Sequence, residues 1–202
     1  MSASASFVKS LLAQCCLGGI CEWVVCPGAR NMALLQVLAA AEDLVKWTHF
    51  DERSAAFFAL GRIQDMGLPV AVVTTSGTAA AELLPAVVEA YYERRPLLLL
   101  TADRPADYRG SAAPQAIEQA DLFGIYAPTI DLETPDSLPE DILEDWDYAS
   151  PLHINVCLPD PDPAWNPGNC DLYPAEPPED SEFRGSLAEL AQAPVSYTHL
   201  TL

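Results

Sequence analysis

Four short polar clusters in this sequence carry residue types that chemistry needs. They are residues 28–30 (GAR), 51–53 (DER), 75–78 (TSGT) and 103–105 (DRP). A guanidinium can grip both oxygens of a carboxylate, a carboxyl group can share a proton with a ligand, and a polar turn at a helix start can bind an anion. The sequence therefore offers groups for holding a small anion and for moving a proton.

Each cluster also has a purely structural interpretation. The Pro-Gly pair before Arg30 can form a tight turn, and Asp51 and Glu52 are expected in the first turn of any helix. The third cluster matches neither common phosphate-loop pattern and can be a plain strand-to-helix turn. The fourth can be a surface ion pair worth under about 1 kcal/mol. Taken one at a time, the clusters leave both interpretations open.

Alternating apolar segments predict the elements that position these clusters. The predicted strands are 23–26, 46–50, 69–74, 97–101 and 152–158, and the predicted helices are 6–16, 32–42, 51–66, 79–93 and an acidic one around 140–147. Strands that alternate with helices indicate an α/β fold with an open, mainly parallel sheet and helices on both faces. Such sheets bind ligands outside the carboxyl ends of their strands. Because each cluster follows one of the first four strands, we expect all four along one edge.

Single residues mark the predicted helix boundaries. Asn31 and Asp51 are good N-cap residues, and Gly67 is a helix stop. Pro85 predicts a kink or a late start in the helix that contains it.

The chain changes character near Pro128. Residues 1–126 hold 9 basic and 13 acidic residues, whereas residues 127–202 hold 1 and 16, together with 12 of the 18 prolines. We predict one domain over residues 1–165 and an acidic, Pro-rich linker over 166–194 that leads to a further domain. A helix is expected at 186–192. We interpret residues 195–202 as a non-native end, because their uncharged, strand-like residues have no relation to what precedes them.

The overall composition limits the functions and the binding partners that the protein can have. A net charge of −19 repels phosphate backbones, so we expect no nucleic-acid partner, and an anionic substrate must be held by local arginines. No segment has the roughly 18 to 20 apolar residues of a membrane span, and the start lacks a secretory signal, which predicts a cytoplasmic protein without a membrane partner. The six cysteines fall in no zinc-like spacing, and we expect buried, reduced thiols. The candidate arginines are Arg30, Arg53, Arg62, Arg94, Arg95, Arg104 and Arg109.

Longer runs of the sequence resemble a known enzyme family. The runs are CPGARN (26–31), HFDERSAAFFALG (49–61), PVAVVTTSGTAAAELLPAVVEA (69–90), LLLLTADRPADYRG (97–110), PQAIEQADLFG (114–124) and PLHINVCLPD (151–160). In this order they resemble the N-terminal, pyrimidine-binding domain of the thiamine-diphosphate-dependent 2-succinyl-5-enolpyruvyl-6-hydroxy-3-cyclohexene-1-carboxylate synthases. The segments DERSAAFFALG and TADRP are the most specific.

The resemblance implies a transferase of menaquinone biosynthesis that decarboxylates 2-oxoglutarate and adds the succinyl-semialdehyde unit to isochorismate. It implies Glu52 as the catalytic residue, bound to the aminopyrimidine ring of the cofactor. Arg30 and Arg104 would hold substrate carboxylates, and Gln115 would contact substrate. Burial would favour a protonated Glu52 and the helix start its anion, and the sequence leaves this open. The loop beside the ring would comprise Thr75, Ser76, Gly77 and Thr78.

Two residues depart from the family pattern. Ala29 stands where a serine is usual, and Pro114 stands where an asparagine is common, so the grip on substrate can differ. Family members continue into a middle domain and a diphosphate-binding domain with a GDG...N metal motif, which these 202 residues lack. The resemblance thus implies Mg²⁺ or Mn²⁺ held outside this part, no metal ligand within it, and no activity of the chain alone. It also implies a homodimer or homotetramer at full length.

Two other functions remain in play. An acetolactate synthase or decarboxylase of the same cofactor class would share Glu52 without needing the pair Arg30 and Arg104. A non-catalytic assembly module would keep the fold only to pair with another subunit.

Overall fold

The computed structural model describes residues 3–162 and 164–174 of the chain. The helix predicted at 186–192, the tail at 195–202 and the linker beyond residue 174 lie outside the described residues.

Helices and strands alternate along most of the described chain. The α-helices are α1 (Ala3–Leu17), α2 (Met32–Ala40), α3 (Glu52–Met66), α4 (Thr78–Ala81) and α5 (Leu84–Tyr92). The strands are β1 (Glu22–Val25), β2 (Val45–Thr48), β3 (Val70–Thr74), β4 (Leu97–Asp103), β5 (Thr129–Leu132) and β6 (Leu152–Cys157). Short 3-10 helices cover Ala106–Tyr108, Gly124–Tyr126 and Pro135–Ser137.

The six strands form one sheet in the order β2-β1-β3-β4-β6-β5, and every pairing is parallel. Val25 lies beside both Thr48 and Val73, and Thr74 lies beside Thr101. These registers bring the carboxyl ends of the first four strands to one edge. The chain runs outward from β1 to β2 and returns to β3 on the other side of β1, so a topological switch point lies between β1 and β3.

Helices cover both faces of the sheet, because alternate strand residues point to opposite sides. Ala71 and Val73 pack in one apolar cluster with residues of α1 and α2. Val70 and Val72 pack in another cluster with residues of α3 and α5. All five residues of β3 are buried, as expected for a central parallel strand. The predicted fold class, an open parallel α/β sheet with helices on both faces, is confirmed.

Several local predictions hold. Asp51 caps α3, because its carboxylate accepts a hydrogen bond from the Ser54 amide at 2.7 Å. Gly67 ends that helix in the left-handed conformation, with φ of 68°. The helix that contains Pro85 is broken into α4 and α5, with Pro85 in the first turn of α5.

The acidic helix predicted around residues 140–147 is wrong: this segment forms turns. In a helix, Glu140 would face Glu144 and Asp141 would face Asp145, and like charges four residues apart are destabilising. Aspartates satisfy the local backbone instead, since Asp141 accepts from the Leu143 amide at 2.9 Å. The apolar residues of the segment, Ile142, Leu143 and Trp146, are nevertheless buried in the core.

Two further corrections concern the edge of the sheet and a helix cap. The sequence pattern did not reveal β5, which pairs with β6 and forms the outer edge of the sheet. Asn31 makes no side-chain cap to α2. Its side chain bridges the preceding turn, accepting from the Gly28 amide and donating to the Cys26 carbonyl, both at 2.9 Å.

Residues 164–174 have no helix or strand in the part that is described, yet they contact the domain. Gln36 donates to the Trp165 carbonyl at 3.0 Å and Lys9 to the Pro167 carbonyl at 2.6 Å, while Cys170 and Leu172 lie in the core cluster. The domain boundary near residue 165 remains a prediction. All six cysteines are free thiols, and five of them are buried. Among the described helices, none is long and apolar enough to cross a membrane.

Candidate active site at the carboxyl edge of the sheet

The four polar clusters lie where their strands end, in the spatial order set by β2, β1, β3 and β4. The DER cluster follows β2, the GAR cluster follows β1, the TSGT loop follows β3 and the DRP cluster lies at the end of β4. The GAR and TSGT clusters therefore flank the switch point between β1 and β3, the position at which open α/β sheets bind ligands. The predicted common edge is confirmed.

Glu52 is the first residue of α3 and is half-buried at this edge. Within the described residues it makes neither a hydrogen bond nor an ion pair. It lies close enough to Cys26 to act on its thiol: burial and then the charges of Glu52 and Asp51 raise the pKa of Cys26 to about 12. The Glu52 carboxyl thus has no protein partner among the described residues and lies near the neutral Cys26 thiol. Both groups lie at the carboxyl edge of the sheet.

The turn after β1 and the loop after β3 are in close contact. A Cβ atom added to Gly28 would lie 2.5 Å from the Cβ of Thr75. Real Cβ atoms do not approach so closely, so only glycine lets this turn approach the Thr75 side chain. The contact brings the GAR cluster and the TSGT cluster together.

Two glutamines hold the TSGT loop. Ser76 donates its hydroxyl to the Gln115 carbonyl at 2.9 Å, and the Gln115 side chain donates to the Ser76 carbonyl at 3.1 Å. The Gly77 amide donates to Oε1 of Gln119 at 2.7 Å. Gly77 has φ of 79°, in the left-handed region that favours glycine. Thr75 and Ser76 are buried, whereas Thr78 is exposed.

Arg30 is buried and already has partners. Its guanidinium donates to the Leu158 carbonyl at 3.1 Å and to the carboxylate of Asp160 at 2.8 Å. The side chain of Arg30 is 9% exposed and that of Asp160 is 82% exposed. Because exposed ion pairs are weak, a ligand carboxylate can compete with Asp160 for this guanidinium.

Arg104 is also engaged, by the loop that contains Gln115. Its Nε and Nη2 donate to the Pro114 carbonyl at 3.0 and 2.8 Å, and its guanidinium lies 5.6 Å from the centre of the Tyr108 ring. The side chains of Asp103 and Arg104 form no ion pair with each other. Asp103 is buried and accepts from the Arg104 amide at 2.7 Å.

The structure therefore brings some of the predicted residues together and keeps others apart. Gly28 and the TSGT loop are in contact, and Gln115 contacts that loop directly. Arg30 and Arg104 line two different cavities, the first with Asp160 and Trp165, the second with Tyr108 and Arg109. Their predicted joint role in holding substrate carboxylates remains a prediction.

Sequence reasoning missed a buried polar network behind β4, β6 and β5. Asn155 accepts from Gln119 at 2.9 Å and donates to Asp103 at 3.1 Å and Asp131 at 2.8 Å. Arg109 neutralises the carboxylates of this network: its guanidinium lies 2.8 Å from Asp131, 2.9 Å from Glu133 and 3.6 Å from Asp103. Polar residues inside apolar strands, such as Asn155 in LHINVC, are the only sequence signal for this network.

The donors at the edge fit the pyrimidine half of thiamine diphosphate. The ring presents nitrogen groups that bind a carboxyl, and the half-buried Glu52 carboxyl has no partner in the described chain. No group of three or more His, Cys, Asp or Glu side chains that could hold a metal ion occurs in the described residues. The residues thus fit the organic part of the cofactor.

Comparisons with known proteins agree with this geometry. The chain matches the family model described as "Thiamine pyrophosphate enzyme, N-terminal TPP binding domain" over residues 8–122. It is 93% identical over 193 residues to a 2-succinyl-5-enolpyruvyl-6-hydroxy-3-cyclohexene-1-carboxylate synthase of Akkermansia muciniphila, covering 96% of this chain and 36% of that protein. Proteins of the same name from Bdellovibrio bacteriovorus and Geobacillus thermodenitrificans are 46% and 45% identical, over 71% and 78% of this chain and 27% and 28% of their own lengths.

The chain spans about a third of the length of the curated relatives it matches. Their shared name confirms the resemblance that the sequence motifs indicate. The family model covers more than half of the chain, from α1 to the residues before the 3-10 helix at Gly124–Tyr126. The chain therefore belongs to the thiamine pyrophosphate enzyme family, as its N-terminal cofactor-binding domain.

Proposed function

We propose that this domain is the pyrimidine-binding part of a thiamine-diphosphate-dependent synthase that joins 2-oxoglutarate to isochorismate with loss of carbon dioxide. The observation that carries the proposal is the half-buried Glu52 carboxyl, which has no partner among the described residues and lies at the same edge of the sheet as the Gly28–Thr75 contact. The names of the relatives support the choice of substrates. When bound, thiamine diphosphate supplies the nucleophilic carbon and the electron sink for decarboxylation.

Glu52 acts on a proton at the edge of the site. Its carboxyl binds a ring nitrogen of the aminopyrimidine and shares the proton at that atom, which is the work of a general acid and base. The Asp51 cap fixes the first turn of α3 and so fixes the direction in which Glu52 leaves the helix. The Gly28–Thr75 contact packs the turn after β1 against the loop after β3, and these two segments would hold the pyrimidine ring.

Arg30 and Arg104 hold the carboxylates of the substrates, and Gln115 contacts the TSGT loop next to Pro114, whose carbonyl binds Arg104. Each arginine must exchange a protein partner for the ligand: Arg30 gives up Asp160, and Arg104 gives up the Pro114 carbonyl. A guanidinium suits this role because it keeps its charge and can bind both carboxylate oxygens. Thr75, Ser76, Gly77 and Thr78 form the wall beside the pyrimidine.

The remaining parts of the enzyme belong to the proposal. Residues 1–165 form the pyrimidine domain, and residues 166–194 lead to further domains that hold the diphosphate and its Mg²⁺ or Mn²⁺. The intact enzyme works in the cytoplasm as a homodimer or homotetramer, and the 202-residue chain alone is inactive. The limited share of the relatives that the chain spans supports this division.

The test uses a full-length chimera in which residues 1–174 of this chain replace the matching part of the 93%-identical relative. The chimera is incubated with 2-oxoglutarate, isochorismate, Mg²⁺ and thiamine diphosphate, and the succinylated product is measured. Absence of that product would reject the proposal. Formation of acetolactate from pyruvate instead would favour the acetolactate synthase alternative, and cofactor binding without turnover on either substrate would favour an assembly module.

Glu52→Gln tests the catalytic assignment within the same chimera. The variant keeps the shape of the side chain but loses the titratable proton, so turnover should fall at least about a hundredfold. Glu42→Gln, an exposed residue beyond the end of α2, is the matched control and should keep normal turnover. Near-normal turnover of the Glu52 variant would show that another group acts on the proton.

A further inference from the structure

We infer that Gln119 is a positioning residue for thiamine diphosphate. It holds the TSGT loop, which is proposed to face the cofactor, and it connects that loop to the end of β4, where Arg104 lies. This inference rests on the proposed function and deepens it. Gln119 is fully buried and does not reach the solvent. Its effect on a ligand must therefore pass through the groups that it holds.

The contacts of Gln119 define the orientation of its amide. Oε1 accepts from the Gly77 amide at 2.7 Å, so the other end of the side chain must donate. Nε2 lies 2.9 Å from Oδ1 of Asn155 and 3.3 Å from the Ala102 carbonyl. Both ends of the amide are thus satisfied by different strands, and a rotation by half a turn would place two donors or two acceptors against each other.

Gly77 needs this partner because of its place in the loop. It precedes α4, and the first amides of a helix have no acceptor within the helix. In the left-handed conformation of Gly77, the amide points inward to the buried oxygen of Gln119. Without that acceptor, the loop would lose a buried hydrogen bond and gain freedom at the wall proposed to face the pyrimidine.

The other arm of Gln119 leads toward the substrate side. Asn155 donates a hydrogen bond to the Asp103 carboxylate at 3.1 Å, and Asp103 accepts a hydrogen bond from the Arg104 amide at 2.7 Å. One continuous chain of buried hydrogen bonds therefore joins the loop after β3 to the residue before Arg104. Because buried networks with every member satisfied are rigid, this chain sets the distance between the two proposed binding groups.

The test measures cofactor affinity rather than turnover. Gln119→Met keeps the length of the side chain and removes its acceptor and donors. In the full-length chimera with Mg²⁺, the dissociation constant of thiamine diphosphate, measured by calorimetry, should rise about tenfold or more. Thr129→Val is the matched control, because it removes a hydroxyl from the same network, 2.9 Å from His153, without touching the loop. It should change the dissociation constant less than about twofold.

Magnesium pyrophosphate separates positioning from general damage. This ligand has no pyrimidine ring, so its affinity should be equal in the wild-type chimera and the Gln119 variant. An unchanged affinity for thiamine diphosphate, or an equal loss for pyrophosphate or in Thr129→Val, would overturn the inference. If Gln119→Met does not fold, Gln119→Leu replaces it, and failure of both to fold would assign Gln119 to overall stability instead. A wild-type chimera that does not bind thiamine diphosphate would refute the proposed function itself, and this inference with it.

Discussion

The two flanks of the sheet edge treat their polar groups differently. On the open flank, formed by the ends of β2, β1 and β3, Glu52 has no partner in the described chain and Gly28 packs against the Thr75 side chain. On the paired flank, formed by β4, β6 and β5, Asp103, Asn155 and Arg109 satisfy one another. Substitutions of the unpaired Glu52 should therefore affect ligand binding more than stability, and substitutions within the Asp103–Asn155–Arg109 network should affect stability most.

The largest effect on stability should come from Arg109→Met. Arg109 neutralises the buried carboxylate of Asp103 together with Asp131 and Glu133. Its loss leaves a buried charge without a counter-ion, and the free energy of unfolding should fall by about 3 to 5 kcal/mol. Urea unfolding of the chain measures this. Arg53→Met, an exposed residue of the open flank, should cost under about 0.5 kcal/mol, and an equal loss for both arginines would remove the contrast.

On the paired flank, the buried His153 should make the free energy of unfolding depend on pH. Burial lowers the pKa of this histidine to about 3, with Asp131 acting weakly in the opposite direction. Between pH 6.5 and 5 the unfolded chain binds a proton that the folded chain does not, so stability falls as pH falls. The slope rises from about half of 1.4 kcal/mol per pH unit at pH 6.5 toward that full value near pH 5, because the unfolded histidine is only half protonated at its own pKa.

The check is the slope of unfolding free energy against pH over that interval. His153→Gln has no group that titrates there, so its slope should be nearly flat. Glu22 and Asp51, whose pKa values are lowered by Arg62 and by the Ser54 hydrogen bonds respectively, lose their contributions only at lower pH. An unchanged slope in the variant would place the titrating group elsewhere.

The smallest effects on stability should lie on the open flank. Asp51→Ala removes the cap of α3 and should cost about 1 kcal/mol. Glu52→Gln removes no contact with a described residue and should cost under about 0.5 kcal/mol. Thermal unfolding of both variants measures the difference. A larger loss for Glu52 than for Asp51 would mean that Glu52 supports the fold, and it would weaken the case for a residue kept free for a ligand.

Local patterns in the sequence were enough to place the four clusters. Apolar runs predicted five of the six strands, because a strand buried on both faces must be apolar whatever it packs against. Gly67 and Asp51 worked as boundary signals because a left-handed stop and a side-chain cap act within a few residues. The same local reasoning failed at Asn31, whose side chain found better partners in the turn behind it.

Failures occurred where a segment depends on distant partners. β5 has only four residues and exists because β6 pairs with it, about twenty residues later in the chain. The segment at 140–147 has helical spacing of apolar residues, but Gln14 of α1 supplies an acceptor for the Ile142 amide at 2.8 Å and helps hold it in turns. Such long-range contacts leave little trace in local propensity.

The sequence by itself determined the fold class, the family and the edge of the sheet at which Glu52, Arg30, Arg104 and the TSGT loop lie. It could do so because each strand and each motif is a run of contiguous residues. Only the tertiary structure decided which of these groups are free. Arg30 is held by a residue 130 positions later and Gly77 by one 42 positions later. Pairing between such distant residues depends on how the strands and loops pack, and packing is a property of the folded chain as a whole.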